Sequence, residues 1–155
     1  MAAQSSNSTT FNPYHPLATP GSIVWCKFQN HNLPGVPAKL RPALVLANDP
    51  TNHAVIVAYG TSNTSKCFVG EFIIPTTDPD FAITGLQHDT KFDLANTVKI
   101  FYTDEWFARA PAHKTRIPQP TNPTMGALTP TAMNSARAAN EALLAKLSKT
   151  APRKK

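Results

Sequence analysis

Two cysteines, Cys26 and Cys67, are too few for a disulfide framework or a zinc set. Cys26 sits in an apolar stretch and reads as a small buried residue. Cys67 falls in a polar loop and reads as an exposed thiol. The five histidines, His15, His31, His53, His88 and His113, are scattered, and none of them stands at metal-ligand spacing. No metal and no cofactor are expected. No apolar run approaches the roughly 20 residues that cross a bilayer, so no membrane partner is expected. A charged n-region followed by an apolar h-region is missing at the N-terminus, so the expected compartment is the cytoplasm. The nucleophile elbow, the phosphate-cradling glycine loop and the dinucleotide fingerprint are also missing, and with them the chemistry they serve. No internal repeat is visible.

What is present suits one domain. The 155 residues are 41% hydrophobic, enough for a single core. Lys and Arg number 15 against 9 Asp and Glu, a net charge of +6. A basic balance in a small domain favours anionic partners, nucleic acid first. Half of that excess lies in the terminal Arg153-Lys154-Lys155, so the argument from charge is modest.

In chain order, residues 1–20 are rich in Ser, Thr, Asn and Pro and read as a flexible arm, in which Phe11 and Tyr14 are able to dock. The folded domain is expected over residues 21–147. Ser22-Ile23-Val24-Trp25-Cys26-Lys27-Phe28 is β-branched and aromatic, a strand. A loop over residues 29–38 leads to a second strand, Arg41 to Ala47. Asn48-Asp49-Pro50-Thr51-Asn52 is turn chemistry. A third strand, residues 53–60, ends in the polar loop Thr61-Ser62-Asn63-Thr64-Ser65-Lys66. Short turns between three strands imply an antiparallel meander, because parallel strands need longer crossovers. A fourth strand is expected at residues 70–75, and two short extended pieces at 92–95 and 97–101. Residues 111–123 read as a Pro-rich connection flanked or occupied by Arg109, His113, Lys114 and Arg116. Thr129-Pro130 is a helix N-cap with Pro at the first helical position. It opens a helix over 130–147 whose core-facing stripe is Met133, Ala136, Asn140, Leu143, Leu144 and Leu147. Residues 148–155 form a basic tail. The expected fold is mainly β: a small, strongly bent antiparallel barrel with a C-terminal helix.

The stretch that organises the site is Lys39-Leu40-Arg41-Pro42-Ala43-Leu44-Val45-Leu46. Pro is tolerated where a strand begins, and it pushes Arg41 toward extended backbone. In a meander the second strand begins at the edge where the third ends. Arg41 should therefore neighbour Thr61 and Ser62 at one rim. A guanidinium fork with two rotatable hydroxyls makes a compact oxyanion site. Lys91 and Asp93 offer a cation and a carboxylate on one strand face. These groups suit RNA cleavage without a metal, in which the ribose 2′-hydroxyl attacks its own phosphate. That reaction needs a base, an acid and positive charge on the phosphorane. Bland readings stand beside each: loop chemistry for Thr61 and Ser62, a pair or cap for Asp93 and Lys91, a plain loop residue for His88, core packing for Trp25.

At these residues the chain resembles the MazF/PemK (Kid) toxins of bacterial type II toxin–antitoxin modules. Gly21-Ser22-Ile23-Val24-Trp25 with Phe28 is similar to the family's opening, and Leu40-Arg41-Pro42-Ala43-Leu44-Val45-Leu46 to its Arg-Pro strand. Val57-Ala58-Tyr59-Gly60-Thr61-Ser62 matches the strand that ends in Thr-Ser. Thr84-Gly85-Leu86, Phe92-Asp93-Leu94 with Thr97-Val98, and Gly126-Ala127-Leu128 match later segments. The resemblance implies a Src-homology-3-like barrel of the MazF/PemK/CcdB type and a homodimer. It implies an endoribonuclease that cuts single-stranded messenger RNA to 2′,3′-cyclic phosphate and 5′-hydroxyl ends. A cognate acidic antitoxin would lie over the RNA groove. By motif, Arg41, Thr61 and Asp93 carry over as catalytic. Ser62, Lys39, Lys91, His88 and Trp25 form the expected substrate-binding set. Lys91 stands where relatives with that Asp have Arg, and Lys is not a fork. An inactive barrel of the same family, kept for binding RNA or protein, is the alternative. A gyrase poison of the same fold ends in an apolar segment, unlike the basic end here.

Overall fold

Runs of β-branched and aromatic residues pair where the turn chemistry lets the chain reverse. The computed structural model describes residues 11–28, 39–112 and 119–150. It contains strands β1 (Ser22–Phe28), β2 (Lys39–Asp49), β3 (Ala54–Thr61), β4 (Glu71–Ile74), β5 (Thr90–Phe101) and β6 (Thr124–Ala127), then the helix α1 (Pro130–Thr150). A 3-10 turn, Phe81–Thr84, precedes β5. The strands form one antiparallel sheet in the order β4-β5-β3-β2-β1-β6, curled into a half-barrel. The expected meander is its centre: Ile23 lies opposite Leu44, and Ala43 opposite Tyr59.

Both faces of the sheet are buried, which is why the central strands read as near-continuous apolar runs. Val24, Cys26, Ala43, Val45, Val55 and Val57 face one cluster, closed by Tyr102 and Phe107. Ile23, Leu44, Phe72, Ile74 and Phe92 face the other, closed by Leu86, Met125, Ala132 and Ala139. The period of two along each strand assigns neighbours to opposite faces.

The curl comes from β5. Phe92 lies opposite Gly60, but the next β3 pairing is Thr97 with Ala58. Between them β5 pairs with β4 instead, Asp93 opposite Glu71. The two short pieces expected at 92–95 and 97–101 are thus one strand with a strong bulge, the device that bends sheets.

Three further expectations change. Residues 11–20 are not a loose arm. Asn12 donates through its backbone N to Asp104 Oδ1 at 2.9 Å, Tyr14 N donates to Tyr102 O, and Ala18 is buried in the core. Residues 1–10 lie outside the described residues, as do 29–38, 113–118 and 151–155. A strand that the sequence does not announce, β6, pairs with β1. It contains Gly126, a residue that weakens strands. Gly is required there because a Cβ would sit 2.2 Å from the Ile83 carbonyl oxygen of the 3-10 turn. The helix is capped as expected: Thr129 Oγ1 accepts the Ala132 N–H at 2.9 Å and donates to buried Asp78 at 2.6 Å. Its buried face, however, is Ala132 and Ala139, with Ala136 and Leu143 partly covered, while Met133, Leu144 and Leu147 are exposed. Small alanines let α1 lie close on β4 and β5, and that selects a face one position away from the larger residues.

Candidate active site

The Arg-Pro strand opens at the mouth of a cleft of about 630 Å³. Trp25, Lys39, Arg41, Thr61, Ser62 and His88 all line it, joined by Asn63, Gln87 and Thr90. Six of the eight expected site residues therefore meet in one place.

Register puts them there. Ala43 pairs with Tyr59 and Leu44 with Ala58. Continued to the strand ends, that antiparallel register sets Arg41 against Thr61. Pro42 lies opposite Trp25 on β1, so the indole stands on the neighbouring wall. The Trp25 backbone is clamped on its outer side, donating to Pro123 O and accepting from Ala108 N. Gly60 makes the closeness possible. A Cβ there would fall 2.7 Å from Phe92, 2.9 Å from Thr90 and 3.1 Å from the Pro42 carbonyl oxygen.

The loop after β3 orders the hydroxyls. Asn63 N donates to Thr61 Oγ1 at 3.1 Å, a local side-chain turn. Asn63 Oδ1 in turn accepts from Ser65 N and Ser65 Oγ. Across the cleft, His88 is exposed in the bend between the 3-10 turn and β5. Its carbonyl oxygen accepts from buried Thr90 Oγ1 at 2.8 Å. Asp89 is tied by the Thr76 N–H at 2.7 Å. The bend that presents His88 is thus held on both sides.

Lys91 and Asp93 stand apart from the cleft. They alternate with Thr90 and Phe92, which face inward, and so point to the other side of β5. Lys91 Nζ lies 3.4 Å from Glu71 and donates to Lys66 O at 2.8 Å. Glu71 also accepts the Phe68 N–H at 2.6 Å. This pair pins the far end of the loop that carries Thr61 and Ser62. Asp93 accepts from Ala95 N at 2.9 Å and from Asn96 Nδ2 at 2.5 Å, holding the β5 bulge. Both residues support the site's frame from behind.

Beneath the cleft the sheet carries neutral polar groups. Burial pushes the Cys26 thiol up to about 12 and raises the Tyr59 phenol well above its usual range. Neither can exchange protons near neutrality. Arg109, expected among the basic positions of the Pro-rich segment, closes that segment by donating to Pro120 O and Gln119 O. His113, Lys114 and Arg116 lie outside the described residues. Among the described residues, no three His, Cys, Asp or Glu gather to hold a metal ion. Gln87, Asn63 and Thr90 were not foreseen. The Thr-x-Asn spacing after β3 is the one signal that could have marked Asn63.

The family model for PemK-like, MazF-like toxins of type II toxin–antitoxin systems matches residues 19–101. The chain belongs to that family. The match runs from the entry to β1 through the end of β5, and so takes in Arg41, Thr61, Ser62 and His88. It stops short of β6 and α1. No match to a curated protein was found. Membership of a type II toxin family implies an antitoxin as partner. None of the helices among the described residues is long and apolar enough to cross a membrane.

Proposed function

We propose that this toxin is an endoribonuclease that cuts single-stranded RNA without a metal ion. The observation that carries the reading is the convergence of Arg41, Thr61, Ser62 and His88 on one cleft. The 2′-oxygen of a ribose attacks the adjacent phosphorus, and the bond from phosphorus to the 5′-oxygen breaks. The Arg41 fork and the two hydroxyls donate to the non-bridging oxygens, whose charge grows in the phosphorane. His88 is the proton-transfer group, because it alone among the candidates (His88, Lys91 and Asp93) lines the cleft. A 2′,3′-cyclic phosphate and a 5′-hydroxyl result. Lys39 attracts the strand's phosphates, and half-buried Trp25 offers a face to a base.

The same family reading gives a homodimer and an antitoxin whose acidic segment covers the cleft. The exposed apolar side chains Met133, Leu144 and Leu147 on α1 fit a surface that is covered in an assembly.

The test is incubation of purified protein with single-stranded RNA in EDTA. The expected products carry 5′-hydroxyl ends that accept label from a kinase without prior phosphatase. Arg41→Ala should abolish cleavage while the protein stays folded. A second reading, an inactive barrel that binds RNA, draws on the engagement of Lys91 and Asp93 in the scaffold. Binding without cleavage in the same assay would select it.

A further inference from the structure

The cleft does not end at His88. A second hollow of about 380 Å³ adjoins it, lined by Ser62, Thr64, Thr76, Gln87, His88 and Asp89. Ser62, Gln87 and His88 line both, so the two are continuous. Their chemistry differs. The first holds the cations Lys39 and Arg41. Beside the shared Ser62, Gln87 and His88, the second adds two threonine hydroxyls and the Asp89 carboxylate, and it is lined by no Lys or Arg. The carboxylate disfavours a phosphate there and favours a part of the RNA strand that offers hydrogen-bond donors.

Asp89 is arranged to receive them. Oδ1 accepts the Thr76 N–H at 2.7 Å, which fixes the carboxylate. Oδ2 accepts no hydrogen bond from the described residues. Single-stranded RNA exposes the Watson–Crick edges of its bases. Guanine alone places two donors side by side on that edge, N1–H and the N2 amino group, with the acceptor O6 next to them. A carboxylate matches the two donors, and the Gln87 carboxamide can donate to O6. Adenine and cytosine put an acceptor nitrogen beside their single amino donor. Uracil flanks its one N–H with two carbonyl oxygens. In each of these a lone pair meets a carboxylate oxygen.

We infer that the Asp89–Gln87 hollow is a base subsite that selects guanine at a nucleotide flanking the scissile phosphate. The inference rests on the ribonuclease reading of the neighbouring cleft and names its specificity.

The test uses the full chain, wild type and Asp89→Asn. The Asn variant keeps the shape and the acceptor for Thr76 N–H but turns the other position into a donor. A randomised single-stranded RNA pool is cleaved and the new ends are sequenced. Wild type should enrich guanine about tenfold at one fixed position within a nucleotide of the cut, and the variant should lose that enrichment. Replacing that guanine by inosine, which lacks the N2 amino group, should reduce the wild-type preference. The ratio between substrates is the readout, since a merely structural role would lower all rates together. Wild-type cleavage without guanine enrichment, or enrichment that survives in Asp89→Asn, overturns the subsite. A wild type that does not cleave defeats the ribonuclease reading instead. In that event, anisotropy with 2′-O-methyl strands carries the same comparison: guanine-selective binding lost in Asp89→Asn upholds the subsite, and binding blind to guanine overturns it.

Discussion

Thr61 Oγ1 accepts the backbone N–H of Asn63 at 3.1 Å, which turns the hydroxyl's own proton toward other acceptors. A hydroxyl held by one lone pair becomes a directed donor, and here it lies at the rim with Arg41. Thr61→Val keeps the β-branched shape and removes the donor. Cleavage should fall about 10²-fold, the usual loss when one oxyanion donor is deleted. Stability should change by no more than about 1 kcal/mol. Thr61→Ser should restore most of the activity. Steady-state kinetics with thermal melts on the three proteins check this, and an active Thr61→Val would remove the residue from the mechanism.

Lys91 stabilises the site without touching it. It joins Glu71 and the Lys66 carbonyl, and both paired side chains are nearly covered, at 12% and 11% exposure. Lys91→Met strips Glu71 of its counter-charge and frees the loop. The expected cost is about 2 kcal/mol, below the full penalty for a buried pair because water still reaches it. Hydrogen exchange should rise in residues 64–69. Melts and exchange read the two effects together, and an unchanged loop would mean that the pair does not hold it.

Asp93 and His88 separate by experiment. Asp93→Ala loses the acceptor for Ala95 N–H and Asn96, so the β5 bulge loosens at about 1 kcal/mol while cleavage persists. His88→Ala should leave the melt unchanged and reduce cleavage by about 10²-fold or more. Single-turnover rates decide between them. The reverse pattern would return the proton-transfer role to Asp93.

That Arg41 and Thr61 meet at one rim was legible because it needs only strand order and a short turn. Cys26 and Cys67 also fell where composition put them, one buried and one exposed. The orientation of Lys91 and Asp93 was not legible. The sequence shows that they share a face, but which face depends on how β5 leaves β3 at Phe92 and rejoins it at Thr97. Strand β6 was hidden for a related reason. Gly126 is chosen by a close approach to Ile83, a contact distant in sequence, and it contradicts local strand propensity. The helix face was misjudged because volume suggested Met133, Leu144 and Leu147. The close packing of α1 on the sheet instead buries Ala132 and Ala139.

At the β2–β3 turn, opposite the site, Asp49 offers a pH-dependent handle on the fold. Its Oδ2 lies 2.5 Å from Lys99 Nζ and accepts from Asn52 Nδ2 at 2.7 Å. The Lys99 bond first, then those of Asn52, lower the carboxyl from 3.8 to about 2. A carboxyl lowered by folding adds stability above its unfolded pKa and loses it as pH falls through the folded one. The contribution should thus be complete above pH 3.8 and fade toward pH 2. Asp49→Asn lacks the titration. Its melting temperature should lie below wild type at pH 6, and the two should converge near pH 2. In 1 M salt the gap at pH 6 should narrow, because the pair is near the surface and the Debye length is only about 3 Å there. Parallel melting curves across the whole pH range would show that the pair adds nothing to the fold.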